Sequence, residues 1–203
     1  MPRPRASAST SPTSPLLAFL CDTLVRSGCE LLNVEGARNG CFRLSFEDPH
    51  LHRSGIVGRL FRLEAHDTDG DGARMTLRPA ASPDGAPHGR DSFGLFTSVL
   101  LGVEPSRDLF VAFDPARHFP EDEPLRVSIN AAPLQRVLAR GWHAWEREEY
   151  ERDGTGFAET LVGFTAPNLV RYVLFERLAS GLDTGHRQLL AERFYSDVLR
   201  RRG

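Results

Sequence analysis

The spacing of apolar residues changes period along this chain. Near its start, Leu16, Leu17, Phe19, Leu20, Leu24 and Val25 recur every three or four positions, which predicts an amphipathic helix ending near Gly28. The period then falls to two. Residues 31–34 read as a short strand, and 41–46 alternate, with Phe42, Leu44 and Phe46 on one side. Leu60, Arg62, Glu64 and His66 alternate against Phe61, Leu63 and Ala65, and Met75, Leu77 and Pro79 alternate again. Residues 92–101 are apolar and β-prone. Residues 108–114 hold an apolar run between two aspartates, the pattern of a strand buried on both faces. Residues 125–130 and 160–164 add two more strands.

Helical spacing returns in the last third. Pro133 suits the first helical position, with Leu134, Val137, Leu138 and Trp142 forming one stripe behind it. Leu169, Val170, Val173, Leu174 and Leu178 form a second, stopped around Gly181. Leu189, Leu190, Phe194 and Val198 form a third, and the arginines 200–202 at its end meet the helix macrodipole favourably. Strands cluster in the centre and helices at the ends. The expected class is α+β, with a central curved, mostly antiparallel sheet and helices at the N-terminus and in the C-terminal third. Residues 1–14, rich in Pro, Ser and Thr, read as a disordered tail, and 15–203 as one domain. The apolar stretch 16–20 is too short for a signal core, and no run approaches the roughly 20 apolar residues of a membrane span. A cytoplasmic protein without a membrane partner is expected.

Composition removes several chemistries. All 25 basic residues are arginine, and the chain has no lysine. A phosphate loop of the Walker type, a Schiff-base enzyme and the common acidic-plus-lysine nuclease core therefore have no lysine to use. A GC-rich coding bias accounts for that composition; the exclusion holds whatever its cause. A formal net charge of −2 places any nucleic-acid contact on a local arginine face. Cys21, Cys29 and Cys41 lack the paired spacing of a zinc site and read as buried thiols in a reducing compartment.

The motifs are few. Asp67, Asp69, Asp71 and Gly72 begin like a calcium loop, but Arg78 stands where the bidentate Glu belongs, and an Asp/Gly hairpin turn fits better. His50 and His52 share one side of an extended segment. With Asp67 and Asp114 they are the ligands of the alternative reading, a metal-dependent hydrolase or nuclease. The preferred reading has no metal and no cofactor.

The densest segment is 108–145. Arg117 and His118 follow the strongest strand and can donate to phosphate or base edges. Asn130 can pair with an adenine edge or cap the next helix, Arg136 lies on that helix, and Trp142 can stack on a base. The plainer assignments are a turn at Asp114-Pro115, a cap at Asn130, a core position for Trp142 and a solvated Arg117. The runs LFVAFDPARH, RVSINAAPLQRVLARGW and ETLVGFTAPNLVRYV, spanning about residues 95–178, resemble a non-catalytic segment of bacterial restriction and defence proteins. That resemblance implies DNA reading or partner docking beside a nuclease, here without a nuclease core; a nuclease or methyltransferase is the expected protein partner. The expected function is a non-enzymatic DNA-binding or accessory module of such a system. It would recognise double-stranded DNA, with a modified base as the candidate target, through Arg117, His118, Asn130, Arg136 and Trp142. A third reading is a protein-interaction subunit using a Phe-rich sheet face.

Overall fold

The computed structural model describes residues 14–36, 40–66, 72–77, 95–118, 125–150 and 156–200. Helix α1 (Pro15–Arg26) opens on Ser14, whose hydroxyl accepts from the Leu17 N–H at 3.2 Å and satisfies one of the free N–H groups of the first turn. Strands β1 (Glu30–Gly36), β2 (Cys41–Glu47) and β3 (Arg53–Arg62) form an antiparallel meander. The chain breaks at Leu63 and makes β4 (Glu64–His66) and β5 (Gly72–Leu77), which pair antiparallel on either side of 67–71, as the hairpin expectation requires. Asp67 itself lies outside the described residues.

Strands β6 (Thr97–Glu104) and β7 (Leu109–Phe113) follow, joined through a 3-10 turn and Asp108, whose φ of 50° is left-handed. A single-turn helix α2 (Pro115–His118) leads toward β8 (Leu125–Ile129) and α3 (Ala131–Arg140). The hairpin of β9 (Trp142–Tyr150) and β10 (Gly156–Thr165) precedes α4 (Leu169–Ala179) and α5 (Thr184–Arg200).

Seven strands form one sheet in the order β1-β2-β3-β6-β7-β10-β9, and β4-β5-β8 form a second, smaller sheet. Every pairing is antiparallel except β3 with β6. The sheet and its flanking helices are the α+β arrangement expected from the pattern. Helices α1, α4 and α5 cover one face through Leu20, Phe110, Phe164, Tyr172 and Phe175. Helix α3 and the small sheet cover the other through Leu109, Val111, Phe113, Val127, Ile129 and Leu161. Strand β7 lies between both layers, and all five of its residues are buried. This is why its sequence is continuously apolar instead of alternating.

Three expectations need correction. The stripe Leu134–Val137–Leu138–Trp142 does not continue as a helix. Helix α3 stops at Arg140, Gly141 turns left-handed at φ 80°, and Trp142 opens an edge strand. Gly tolerates that φ without a Cβ penalty, so the turn is a helix stop. Leu138 consequently remains exposed. The first helical residue is Ala131, two positions ahead of Pro133. Finally, Cys29 and Cys41 are buried but Cys21 is only partly so; all three are free thiols, and burial raises each above its ordinary pKa. No described helix is long and apolar enough to cross a membrane.

Gly163 sets how closely α3 can approach the sheet. A Cβ there would collide with Val137 of α3 and lie 3.1 Å from the Trp145 ring. Replacing Gly163 with Ala should therefore force α3 off β9 and β10 and cost about 1–3 kcal/mol, as overpacked cores do. A urea titration showing no shift in midpoint would mean that α3 is not seated by this contact.

Candidate functional site at the rim and edge of the sheet

Two polar constellations stand out, one enclosed and one open. The enclosed one lies where β7 and β10 end. Glu159 sits fully buried within β10, opposite Arg147 of β9. Its carboxylate accepts from the Asp114 backbone N–H at 2.9 Å, meets His118 Nε2 at 2.8 Å and accepts from Arg147 at 3.1 Å. Burial works to raise this carboxyl, but the His118 hydrogen bond and charge, the Arg147 charge and the Asp114 N–H outweigh it and hold it below the ordinary range. His118 packs edge-on against Phe113 and Arg147 lies over the same ring, 5.9 Å from its centre.

Asp114 links this group to a second one. Its Oδ1 accepts from Ala116 N–H at 2.9 Å, and its Oδ2 lies 3.8 Å from Arg117 Nε and 3.7 Å from Arg187 Nε. Arg187 of α5 forms a two-pronged pair with Glu176 of α4 at 3.1 and 2.9 Å and also donates to Ala179 O. Tyr172 donates to the same carboxylate at 3.0 Å. Complete burial pushes the Glu176 carboxyl up, opposed by Arg187; burial of Arg187 is in turn outweighed by Glu176 and Asp114, so the guanidinium stays charged. A cavity of about 320 Å³ opens beside this pair, walled by Phe96, Ser98, Asp114, Pro115, Glu176 and Arg177.

The open constellation lies on α3 and the sheet-edge strand β9. His143 and Trp145 stack 5.7 Å apart, and Arg136 and Arg140 stand exposed one helical turn from each other. Arg140 lies over the Tyr195 ring of α5 at 5.9 Å. Burial lowers the His143 pKa first, and the charges of Arg136 and Arg140 lower it further.

The residues proposed from sequence scatter over these features. His118 is in the enclosed group, and Arg117 lies outside it, donating to Thr184 at 3.1 Å and stacking over Phe157. Asn130 occupies the cap position of α3 and is exposed, but its side chain makes no capping bond. Trp142 packs among Phe164, Phe175 and Phe194 and donates to Ala191 O at 3.1 Å, so its ring offers no face to a base. Only Arg136 belongs to the open face. Arg140, His143 and Trp145 are its further members, which the sequence reading missed; the alternation of His143 and Trp145 against Trp142 and Ala144 was the one signal that could have set those two on one strand face.

Of the alternative metal set, His50 and His52 stand apart from Asp114, and Asp67 lies outside the described residues. His50 and His52 are exposed beside Asp48, whose carboxylate accepts from both backbone N–H groups, whereas Asp114 is enclosed with Arg187 and Arg117. Among the described residues, no group of three or more His, Cys, Asp or Glu converges as metal ligands do. The Phe-rich sheet face is interior: Phe42, Phe46, Phe110 and Phe164 are all buried. Exposed apolar residues do occur among the described residues, at Val25, Leu32, Leu51, Leu95 and Leu138, and as four leucines of α4, α5 and their connection, Leu174, Leu178, Leu182 and Leu189.

Residues 77–173 match the model of a family described as Methylase-associated X1. That match covers just under half of the chain and contains strands β6 to β10, α2 and α3, with the Glu159 cluster and the α3–β9 edge. No curated protein and no solved structure matches the chain.

Folding lowers the Glu159 carboxyl, so the unfolded chain takes up its proton first. The resulting stability is fully present above the ordinary glutamate value of about 4.3 and falls as the pH drops through the lower folded value. Glu159→Gln should cost about 3 kcal/mol near neutrality by leaving Arg147 and His118 without their anion. The gap between wild type and variant should then narrow as the pH falls from neutrality toward acid. Thermal denaturation across that range checks it, and a gap that stays constant would mean that Glu159 is not ionised in the fold.

Proposed function

We propose that this chain is a non-enzymatic accessory module that works beside a DNA methylase in a restriction-modification system. The observation that carries the reading is the Methylase-associated X1 match over residues 77–173. The resemblance of the same region to restriction and defence proteins points the same way.

The finer part of the proposal is contact with duplex DNA along the α3–β9 edge. Arg26, Arg53, Arg107, Arg117, Arg147 and Arg187 all lie within ion-pair distance of carboxylates. Arg136 and Arg140 have no such partner among the described residues; Arg140 lies over the Tyr195 ring, and the charges of both reach His143, which stacks on Trp145. Unpaired guanidiniums beside aromatic rings are suited to phosphate contact and base stacking. This moves the proposed face away from Trp142 and His118, which are enclosed, and keeps Arg136. A modified base is the recognition element that would give an accessory of a methylase its specificity, and a methylase is the partner for which the exposed leucines of α4 and α5 offer an apolar surface.

A titration of the protein against unmodified and cytosine-modified duplex at several salt concentrations tests the DNA contact. Binding should weaken steeply with salt, and the double variant Arg136→Ala/Arg140→Ala should lower the log–log salt slope by about two, one for each phosphate that is no longer neutralised. Absence of binding to either duplex at low salt would sink DNA contact. Equal affinity for the two duplexes would sink modified-base reading alone.

A further inference from the structure

We propose that the outer face of α4 docks an acidic amphipathic helix of the methylase. The proposal rests on the accessory reading above and names the surface and the partner chemistry through which that reading would work.

Helix α4 is apolar on two sides. Its inner side, with Leu169, Tyr172, Val173, Phe175 and Ala179, is buried in the core shared with the sheet. Its outer side carries Leu174 and Leu178, one turn apart and 46% and 61% exposed. A soluble helix with one buried face ordinarily keeps the opposite face polar, and a helix apolar on both sides is one that is covered on both sides. The apolar surface also continues past the helix. Arg177 and Ser180, at the C-terminal end of α4, share the wall of the cavity of about 320 Å³ with Leu95 and Phe96. That shared wall sets Leu95, which is 77% exposed, beside the last turn of α4. Two separate parts of the chain thus build one apolar surface with a recess between them, which distinguishes it from a single exposed leucine.

The charges on this face select the partner. Arg171 and Arg177 lie three residues before and after Leu174, so they flank it on the same side of the helix. The one carboxylate of α4, Glu176, is buried and held by both prongs of Arg187. The outer face of α4 therefore presents leucine and arginine and no acid of its own. Arg177 is exposed and has no carboxylate within ion-pair distance among the described residues. The negative end of the helix macrodipole, about half a charge, offsets only part of it. The complement is a helix with apolar anchors at i, i+3 or i+4 and i+7 and acidic residues beside them. A second copy of this chain is the poorer occupant, because a two-fold contact through α4 would set arginine against arginine.

Leucine methyl NMR of the full-length protein tests the face. The probes are two synthetic helical peptides of identical leucine spacing, one flanked by Glu and one by Arg, and the DNA methylase of the same system. The acidic peptide should shift the Leu174 and Leu178 methyl signals and bind about tenfold more tightly than the basic one, with a preference that fades as salt is raised. Leu174→Ser/Leu178→Ser should weaken the acidic peptide about tenfold or more. Arg177→Glu should erase the preference for the acidic peptide over the basic one. All three positions are exposed, so the fold should survive the changes. The methylase should move the same methyl signals and lose affinity for the same variants. Methylase binding that ignores both variants overturns this face and leaves the accessory reading standing. Acidic-peptide binding at these leucines without methylase binding supports the face and removes the methylase as its partner. Equal binding of the two peptides, or methyl shifts that follow only the protein's own concentration, overturns the acidic partner. No shift with either peptide or with the methylase overturns the face outright.

Discussion

Glu159 is a carboxylate with no access to water, and the end of the sheet is organised around satisfying it. An isolated buried carboxylate is so costly that it would take up a proton or reach solvent. Here three donors reach it from separate parts of the chain: the Asp114 N–H at the end of β7, His118 at the end of α2, and Arg147 on β9. Holding them together fixes the turn after β7 and so the side chain of Asp114. That side chain faces Arg117 and Arg187, and Arg187 binds Glu176. One buried charge thereby ties the two layers of the fold together through a single residue. Such a network adds little net stability over a well-packed apolar equivalent. Its effect is to make one arrangement of α2, α4 and α5 far better than any in which a charge lacks its partner.

The α3–β9 edge has the opposite character. In the rim cluster every guanidinium faces a carboxylate; on α3, Arg136 and Arg140 have no carboxylate within ion-pair distance among the described residues, and Arg140 lies over the Tyr195 ring instead. A net charge of −2 is silent on this difference, because the arginines neutralised internally and those left open count equally in the sum. Distribution decides what a surface attracts. The contrast also separates structural from recognition roles by a physical criterion: the enclosed charges are already satisfied, and only the open ones have interaction energy left to give.

The sequence revealed the strands wherever a face was buried. The two-residue period marked β2, and the unbroken apolar run marked β7 as a strand covered on both sides; the alternation over residues 60–66 instead runs across the end of β3, the break at Leu63 and β4, and the rest of β3, buried without alternation, gave no such period. It concealed β9, because Trp142 stands four residues after Leu138 and so extended the stripe of α3. Gly141, which is the stop, carried less weight than that spacing. The separate sheet β4-β5-β8 was not legible, since its pairing joins residues about fifty positions apart. Asp114 and His118 were marked in the right place for the wrong reason: their position at a strand end is real, but they turn inward to Glu159 and Arg187. Glu159 itself had one signal, a charge at the head of the apolar run Leu161–Phe164, which in a doubly covered strand demands a partner. Glu176 and Arg187 are ordinary helix charges in sequence, and only the packing of α4 against α5 makes them a pair.

The extent of the family match bears on which surface does what. It ends at Val173, within the first turns of α4, and so contains α3, β9 and every donor to Glu159. Glu176, Arg187 and the exposed leucines 174, 178, 182 and 189 all lie beyond it. The matched segment contains α3 and the sheet face it covers, whereas α5 and most of α4, which cover the other face, lie outside it. The α4–α5 face serves a different need. Their inner side buries Trp142 and Phe164, and together with α1 it covers one face of the matched strands. That face must be covered by something, and the sequence that covers it here is free to differ so long as it supplies apolar packing and a partner for Asp114. A charge surface on α3 and an apolar surface on α4–α5 are therefore under separate physical constraints, and a change to one need not disturb the other.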